Sequence, residues 1–139
     1  MKSIYTLFLI LICLYTKAQG EFITIWQLDA SQAEINLNIQ NTNGVVNYTW
    51  ETIPADTSGT GSFPANSSNV SITNLPNGKT IKLYIKPQNL ERIYRLGYYP
   101  LTEVVQWGTV NWKSMSEMFY DCQNFIISAT DAPDLSEVE

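Results

Sequence analysis

Hydrophobic and polar residues alternate in short runs along most of the chain, and Gly, Pro, Asn and Ser separate the runs. The clearest run is Thr80–Lys86, in which Ile81, Leu83 and Ile85 occupy every second position. A period of two is that of a β-strand with one buried face, because successive side chains of a strand point to opposite sides. Turn signals recur about every eight to twelve residues, which is typical of all-β domains. The pattern therefore predicts a mainly β fold.

Seven strands are predicted before residue 100. Trp50 lies on the apolar face of its run, and we expect it to anchor the core between two sheets. Asn43-Gly44 and Pro76-Asn77-Gly78 are predicted turns. About seven strands over roughly 80 residues match an immunoglobulin-like β-sandwich, which we assign to residues 19–101. The predicted strands are Phe22–Leu28, Glu34–Gln40, Val46–Thr52, Gly61–Phe63, Asn69–Thr73, Thr80–Lys86 and Arg92–Leu96.

Beyond Pro100 the hydrophobic period changes to that of a helix. Ser114 is followed three residues later by Glu117, the spacing of a capping box at a helix start. Apolar residues then occupy positions i, i+3, i+4 and i+7, one face of a short amphipathic helix. A strand is predicted to follow at Phe125–Ala129. We expect residues 102–139 to form a helix-strand unit whose core positions are Met115, Met118, Phe119 and Cys122.

The first residues have the pattern of an export signal. Lys2 supplies a positive start, and Ile4–Tyr15 is apolar apart from two residues. This stretch is shorter than the roughly 18 residues of a membrane-spanning helix. We expect cleavage between Ala18 and Gln19, which makes residues 1–18 a signal peptide and leaves no transmembrane segment. The protein is then secreted or displayed at the cell surface, whereas a buried N-terminal helix or strand is the alternative.

Composition excludes several classes of function. The chain has no histidine, which excludes His-based acid-base catalysis, Ser-His-Asp hydrolysis and most zinc sites. Its net charge of −5 is unfavourable for a nucleic acid partner. Asp131 and Asp134 could pair as catalytic acids, but a solvated surface is the simpler interpretation of two acidic residues so close in the sequence. Asp56–Gly61 could wrap a calcium ion, but this segment is better explained as a plain loop. We expect no enzyme activity, no metal and no cofactor.

Cys122 is the only cysteine that remains after leader cleavage, so no internal disulfide can form. Its spacing from Met118 and Phe119 favours a buried residue over a reactive thiol.

Aromatic residues cluster near the junction of the two regions, where they could pack together or bind a partner. Tyr98 and Tyr99 are adjacent, so at least one ring lies near the surface if their segment is a half-buried strand. They are the candidate binding residues. The other members of the cluster, for which packing between the two parts is the favoured interpretation, are Tyr94, Trp107 and Trp112.

Three groups of residues occur together in a familiar order: Trp107–Met115, Met118–Cys122 and Ala129–Ser136. They resemble the BspA-type leucine-rich-repeat surface proteins of the Bacteroidetes. The resemblance implies a signal peptide, a β-rich leader domain and repeats in which a short helix ending Met-Phe-x-x-Cys alternates with a strand. We expect residues 102–139 to be the first repeat unit of a truncated array, because only the start of a second unit follows at Asp134–Val138. The sequence departs from the family after Trp50, because it lacks the Gly-Asp-Gly turn that often follows this tryptophan in family members.

The resemblance implies an interaction or adhesion protein without catalytic activity, whose partner is a surface protein or glycan. A single repeat, however, cannot build the extended concave surface of an array. The alternative function is a free-standing immunoglobulin-like glycan-binding module, with surface tyrosines and tryptophans as the platform for sugar rings.

Overall fold

A computed structural model describes residues 20–39, 44–96 and 100–139. Over these ranges the chain forms nine strands in two sheets and contains no helix. The mainly β, two-sheet prediction is therefore confirmed. The predicted leader with Ala18 and Gln19, the turn residue Asn43, and both Tyr98 and Tyr99 lie outside the described residues. The strands are β1 (Phe22–Gln27), β2 (Ile35–Ile39), β3 (Val46–Ile53), β4 (Ser58–Phe63), β5 (Asn69–Ile72), β6 (Thr80–Ile85), β7 (Ile93–Arg95), β8 (Leu101–Gln106) and β9 (Ile126–Ile127).

The larger sheet has the strand order β4-β3-β6-β1-β8-β9. All its pairs are antiparallel except β8 with β9, which run parallel. β1 occupies an inner position because its side chains are buried on both faces: even Thr24 is fully buried, where it accepts a hydrogen bond from the Trp26 indole at 2.8 Å. This internal bond satisfies two polar groups that would otherwise destabilise the core.

The smaller sheet has the order β5-β2-β7 and is antiparallel. Ile35, Leu37 and Ile39 of β2 are buried, whereas Asn36 is exposed and Asn38 is half-buried between them. The inner faces of both sheets contribute to a single buried cluster. Each large aliphatic side chain buried there contributes about 1.5–3 kcal/mol to folding. The alternation read from the sequence thus assigns the inner and outer faces correctly.

Trp50 does not anchor the core as expected, because it is only half-buried and packs at the margin of the cluster. Opposite it on β4 lies Gly59, where a Cβ would come within 2.7 Å of the indole. β4 begins at Ser58 and is longer than predicted, and its glycines leave room for the rings of β3. The fully buried indoles belong instead to Trp26 and Trp112.

The predicted helix at Ser114–Cys122 is wrong. Residues 116–121 form consecutive turns, with three-residue hydrogen bonds such as Tyr120 N–H to the Glu117 carbonyl at 2.9 Å. Glu117 and Asp121 have φ angles of 58° and 60°, which a right-handed helix cannot contain. The capping box does not close either, since the Ser114 hydroxyl accepts the N–H of Ser116. Left-handed turn residues therefore override the helical period.

Residues 91–96 and 100–139 instead run in successive stretches of chain that lie beside one another in parallel, and we call each stretch a pass. β9 pairs with β8, and isolated parallel bridges join Arg92 to Ser114 and Asn111 to Asp134. The side chain of Asp131 reaches Trp107, 24 residues earlier, and Lys113 forms an ion pair with Glu137, again 24 residues apart. Each pass therefore lies against residues 22 to 24 positions further along the chain. We call residues 91–96 and 100–139 the C-terminal coil.

Candidate binding surface

The four predicted core positions of the C-terminal coil do come together, although without a helix. Met118 is buried, while Met115, Phe119 and Cys122 are partly buried and pack against the core cluster. The Phe119 ring stacks on Phe125 with centroids 4.8 Å apart. These residues join the coil to the buried core.

Two of the aromatic residues near the junction are also structural. Phe22 stacks with Trp107 at 5.8 Å and meets Trp112 edge-on at 5.4 Å. Both indoles are buried. The packing interpretation is confirmed for this pair. Tyr94 is half-buried, and a hydrogen bond to Glu117 raises the pKa of its phenol.

Burial raises the pKa of the Cys122 thiol, and the nearby Asp121 carboxylate acts in the same direction. A raised pKa disfavours the thiolate, the form in which cysteine acts as a nucleophile. Cys122 is therefore poorly suited to covalent catalysis.

The carboxylates of the coil organise its loops. Asp131 accepts hydrogen bonds from the backbone N–H groups of Trp107 and Gly108. Asp134 accepts the N–H of Ser136, and hydrogen bonding to this serine lowers the Asp134 pKa. Among the residues that the structure describes, no group of three or more His, Cys, Asp or Glu side chains is placed to hold a metal ion.

The outer face of the smaller sheet carries a row of polar side chains that sequence analysis did not select. The polar positions of β2 and β5 alternate with their buried ones and point away from the core. Asn38 lies opposite both Asn69 and Arg95, and Asn36 lies opposite Ser71. We call this surface, together with Tyr120, the amide face; its members are Asn36, Asn38, Asn69, Ser71, Arg95 and Tyr120.

Hydrogen bonds fix Asn36 at one end of the amide face. Its amide oxygen accepts a hydrogen bond from the Ser71 hydroxyl, and its NH₂ group donates to the Glu34 carboxylate at 3.0 Å. These two contacts assign the orientation of the amide group.

At the other end, the turns of the coil bring Tyr120 over the small sheet. The N–H of Leu96, just past β7, donates to the Met118 carbonyl at 3.0 Å and ties the turns to the sheet. The Arg95 guanidinium lies 4.5 Å from the centroid of the Tyr120 ring, close enough for a cation–π interaction. Glu117 holds the same guanidinium through an ion pair at 3.4 Å. Tyr120 itself is 52% exposed.

A groove of about 370 Å³ runs along the amide face, and Leu37 and Val70 complete its lining. A second, more open cleft of about 830 Å³ adjoins it, because Asn36 lines both. The larger cleft includes Asp29 and Glu34. Asp29 accepts two hydrogen bonds from Ser31 at 2.8 Å, and these lower its pKa.

The alternating asparagines of β2 were visible in the sequence as the polar side of a strand. Tyr120 was not recognisable as a surface binding residue, because the helical period predicted only that its neighbours Met118 and Phe119 face the core. Its ring lies beside Arg95 in a run of turns with left-handed residues at Glu117 and Asp121.

Comparison with known proteins finds no matching family model, no matching curated protein and no matching solved structure. Within residues 20–39, 44–96 and 100–139, no helix has the length and apolar character needed to cross a membrane.

Proposed function

We propose that the protein is a secreted or cell-surface interaction protein without catalytic activity, related to the BspA-type surface proteins. On this proposal, residues 19–101 are an immunoglobulin-like leader, and residues 102–139, which make up most of the C-terminal coil, are the first unit of a leucine-rich-repeat solenoid. Its partner is a macromolecule, protein or glycan, on the surface of a host or bacterial cell.

The observation that carries the proposal is the parallel stacking of the C-terminal coil. Its passes are offset by 22 to 24 residues, within the roughly 20–29 residues of leucine-rich repeats. Stacking of this kind buries a continuous core between successive passes, each of which is unstable alone. This spacing supports the proposal, although the chain has turns where the family has a helix.

Several large apolar side chains of the coil are exposed. Ile126 and Ile127 are 61% and 52% exposed, and Leu135 is 52% exposed. Earlier in the coil the equivalent positions of β8 contact β9, so Val104 is fully buried. Their exposure favours contact with a further repeat or with another protein, because exposed apolar surface tends to mark interaction sites.

The experiment measures binding of the purified, fluorescently labelled protein to intact bacterial and epithelial cells. We expect saturable binding that unlabelled protein displaces. Binding that never saturates, together with turnover of a substrate that is abolished by substituting specific carboxylates, would contradict a non-catalytic interaction protein.

A further inference from the structure

The amide face differs in character from the rest of this acidic protein. The chain carries 13 acidic and 8 basic residues. Of the eight described residues that line the 370 Å³ groove, none is an aspartate or glutamate, and the single charged one is Arg95. That guanidinium is already paired with Glu117. The groove is therefore nearly neutral and rich in hydrogen-bonding groups.

We propose that the groove of the amide face binds a neutral oligosaccharide. This inference rests on the proposed function, since it names the class of ligand for a non-catalytic surface protein. The residues that would bind are Asn36, Asn38, Asn69, Ser71 and Tyr120, none of which the sequence selected as a candidate.

Amide side chains match the hydroxyl groups of sugars. An asparagine side chain has two N–H donors and an oxygen with two lone pairs, so one that makes internal hydrogen bonds, as Asn36 does with Ser71 and Glu34, can still contact a sugar hydroxyl. Asn38 and Asn69 are register partners on adjacent strands. Side chains paired in this way lie roughly 4.5–5.5 Å apart at Cβ, a distance comparable to the width of one pyranose ring. The pair is thus spaced to contact a single sugar unit.

Tyr120 supplies the apolar surface that sugar recognition needs. Half of its side chain is exposed, and Arg95 packs against the ring. The ion pair between Arg95 and Glu117 restrains the guanidinium and, through it, the ring. A restrained, exposed aromatic ring can stack against the C–H face of a pyranose at little cost in conformational entropy.

The dimensions agree with an oligosaccharide. A groove of about 370 Å³ is within the range of roughly 300–1,000 Å³ found for small-molecule sites. Asn36 also lines the 830 Å³ cleft, so the further sugar units of a longer ligand would lie in that cleft. Within the 370 Å³ groove a basic peptide is disfavoured because the lining residues include no carboxylate. The carboxylates of Asp29 and Glu34 lie in the adjoining cleft, where they already accept hydrogen bonds from Ser31 and Asn36.

The test is a titration of ¹⁵N-labelled protein, residues 19–139, with hexasaccharides of glucose, mannose, xylose and N-acetylglucosamine. We expect one or more of them to shift the side-chain NH₂ signals of Asn36, Asn38 and Asn69 in a saturable way. Tyr120→Ala and Asn38→Ala should each weaken that binding by about tenfold or more, while Tyr120→Phe should retain it. Asn47→Ala, at an exposed asparagine of β3 in the other sheet, is the matched control and should bind like the unmodified protein.

Absence of saturable shifts with every neutral hexasaccharide would overturn the inference, as would binding that Tyr120→Ala leaves unchanged in a variant with an unaltered circular dichroism spectrum. Binding restricted to uronic acid hexasaccharides would also overturn it, because the ligand would then be anionic. These failures are separable from failure of the proposed function: labelled Tyr120→Ala protein that still binds cells saturably rejects the glycan groove and retains the interaction protein.

Discussion

The carboxylate of Asp131 accepts the backbone N–H of Trp107, with both oxygens 3.1 Å from the nitrogen, and one of them also accepts the N–H of Gly108 at 2.8 Å. Twenty-four residues separate Asp131 from Trp107. The Asp131 side chain therefore satisfies the backbone N–H groups just after β8, and it comes from the next pass of the coil. It links the position of the buried Trp107 indole to the stacking of the C-terminal coil.

Replacing Asp131 by alanine should therefore destabilise the protein. Hydrogen bonds to a charged acceptor contribute about 1.5–3 kcal/mol, and we expect a loss of that order in the free energy of unfolding measured with urea. Asp134→Ala is the control, because the Asp134 carboxylate bonds locally, to the N–H of Ser136 two residues away. Equal losses in the free energy of unfolding for the two variants would show that Asp131 does not stabilise the contact between neighbouring passes of the coil.

Gly108 tests how closely the coil lies against the start of β1. Its φ is 68°, and a Cβ there would lie 2.4 Å from the carbonyl oxygen of Glu21. Gly108→Ala combines a left-handed backbone with a clash against main chain, so we expect a loss of more than about 2 kcal/mol in the free energy of unfolding.

Gly78→Ala is the matched control for Gly108→Ala. Gly78 has the same φ of 68°, but a Cβ added there would have its nearest neighbour 3.9 Å away. For Gly78→Ala we expect a loss of only about 1–2 kcal/mol in the free energy of unfolding, which is the cost of the left-handed backbone alone. A Gly108→Ala variant no less stable than Gly78→Ala in urea unfolding would argue against the close approach to Glu21.

Met118 should be the more sensitive of the two predicted repeat-core methionines. It is 1% exposed, whereas Met115 is only partly buried. Truncating a buried methionine to alanine costs about 2–5 kcal/mol, because it removes apolar contacts and leaves a cavity. We expect Met118→Ala to lower the urea midpoint clearly more than Met115→Ala. The reverse order would mean that the turns pack differently against the sheet.

Stability should fall at alkaline pH through Tyr84. Burial, then a hydrogen bond to the Glu51 carboxylate, raises the pKa of this tyrosine to about 12. The unfolded chain has the ordinary tyrosine pKa of about 10, so the folded state keeps the proton to higher pH. The contribution of Tyr84 to the free energy of unfolding is fully present below about pH 10 and is lost as pH rises towards about 12.

Urea unfolding at about pH 8, 10 and 11 measures this loss, because these values lie below and within the window in which the tyrosine titrates. Tyr84→Phe should show a shallower decline above about pH 10 than the unmodified protein. Tyr48, whose pKa is also raised by burial, supplies a background decline in both. Parallel declines in the two proteins would exclude Tyr84 as the titrating group.

The fold was predictable where one face of a strand is buried. In β2 and β6, alternation assigned the inner residues Ile35 and Leu83 correctly, because burial on one face imposes a period of two. The same reasoning failed at Met115–Cys122. There a helical period of apolar residues coincides with turns, and that period does not reveal the left-handed conformations of Glu117 and Asp121.

The amide face could be predicted only in part. Asn36 and Asn38 were recognisable as the polar side of β2, but their neighbours Ser71 and Arg95 come from strands more than 30 and 50 residues further along the chain. Strand order decides which polar residues share a face, and alternation does not reveal strand order. Tyr98 and Tyr99, the binding residues selected from the sequence, remain a prediction.

The intact mass of the native protein recovered from the outside of its cells tests the central claim most directly. We predict a polypeptide that begins at Gln19, because an exported interaction protein loses residues 1–18. Its mass also shows whether further repeats follow Glu139, which would extend the stacked coil. Recovery only from inside the cells, with Met1–Ala18 still attached, would contradict the claim that this is a secreted or surface-displayed binding protein.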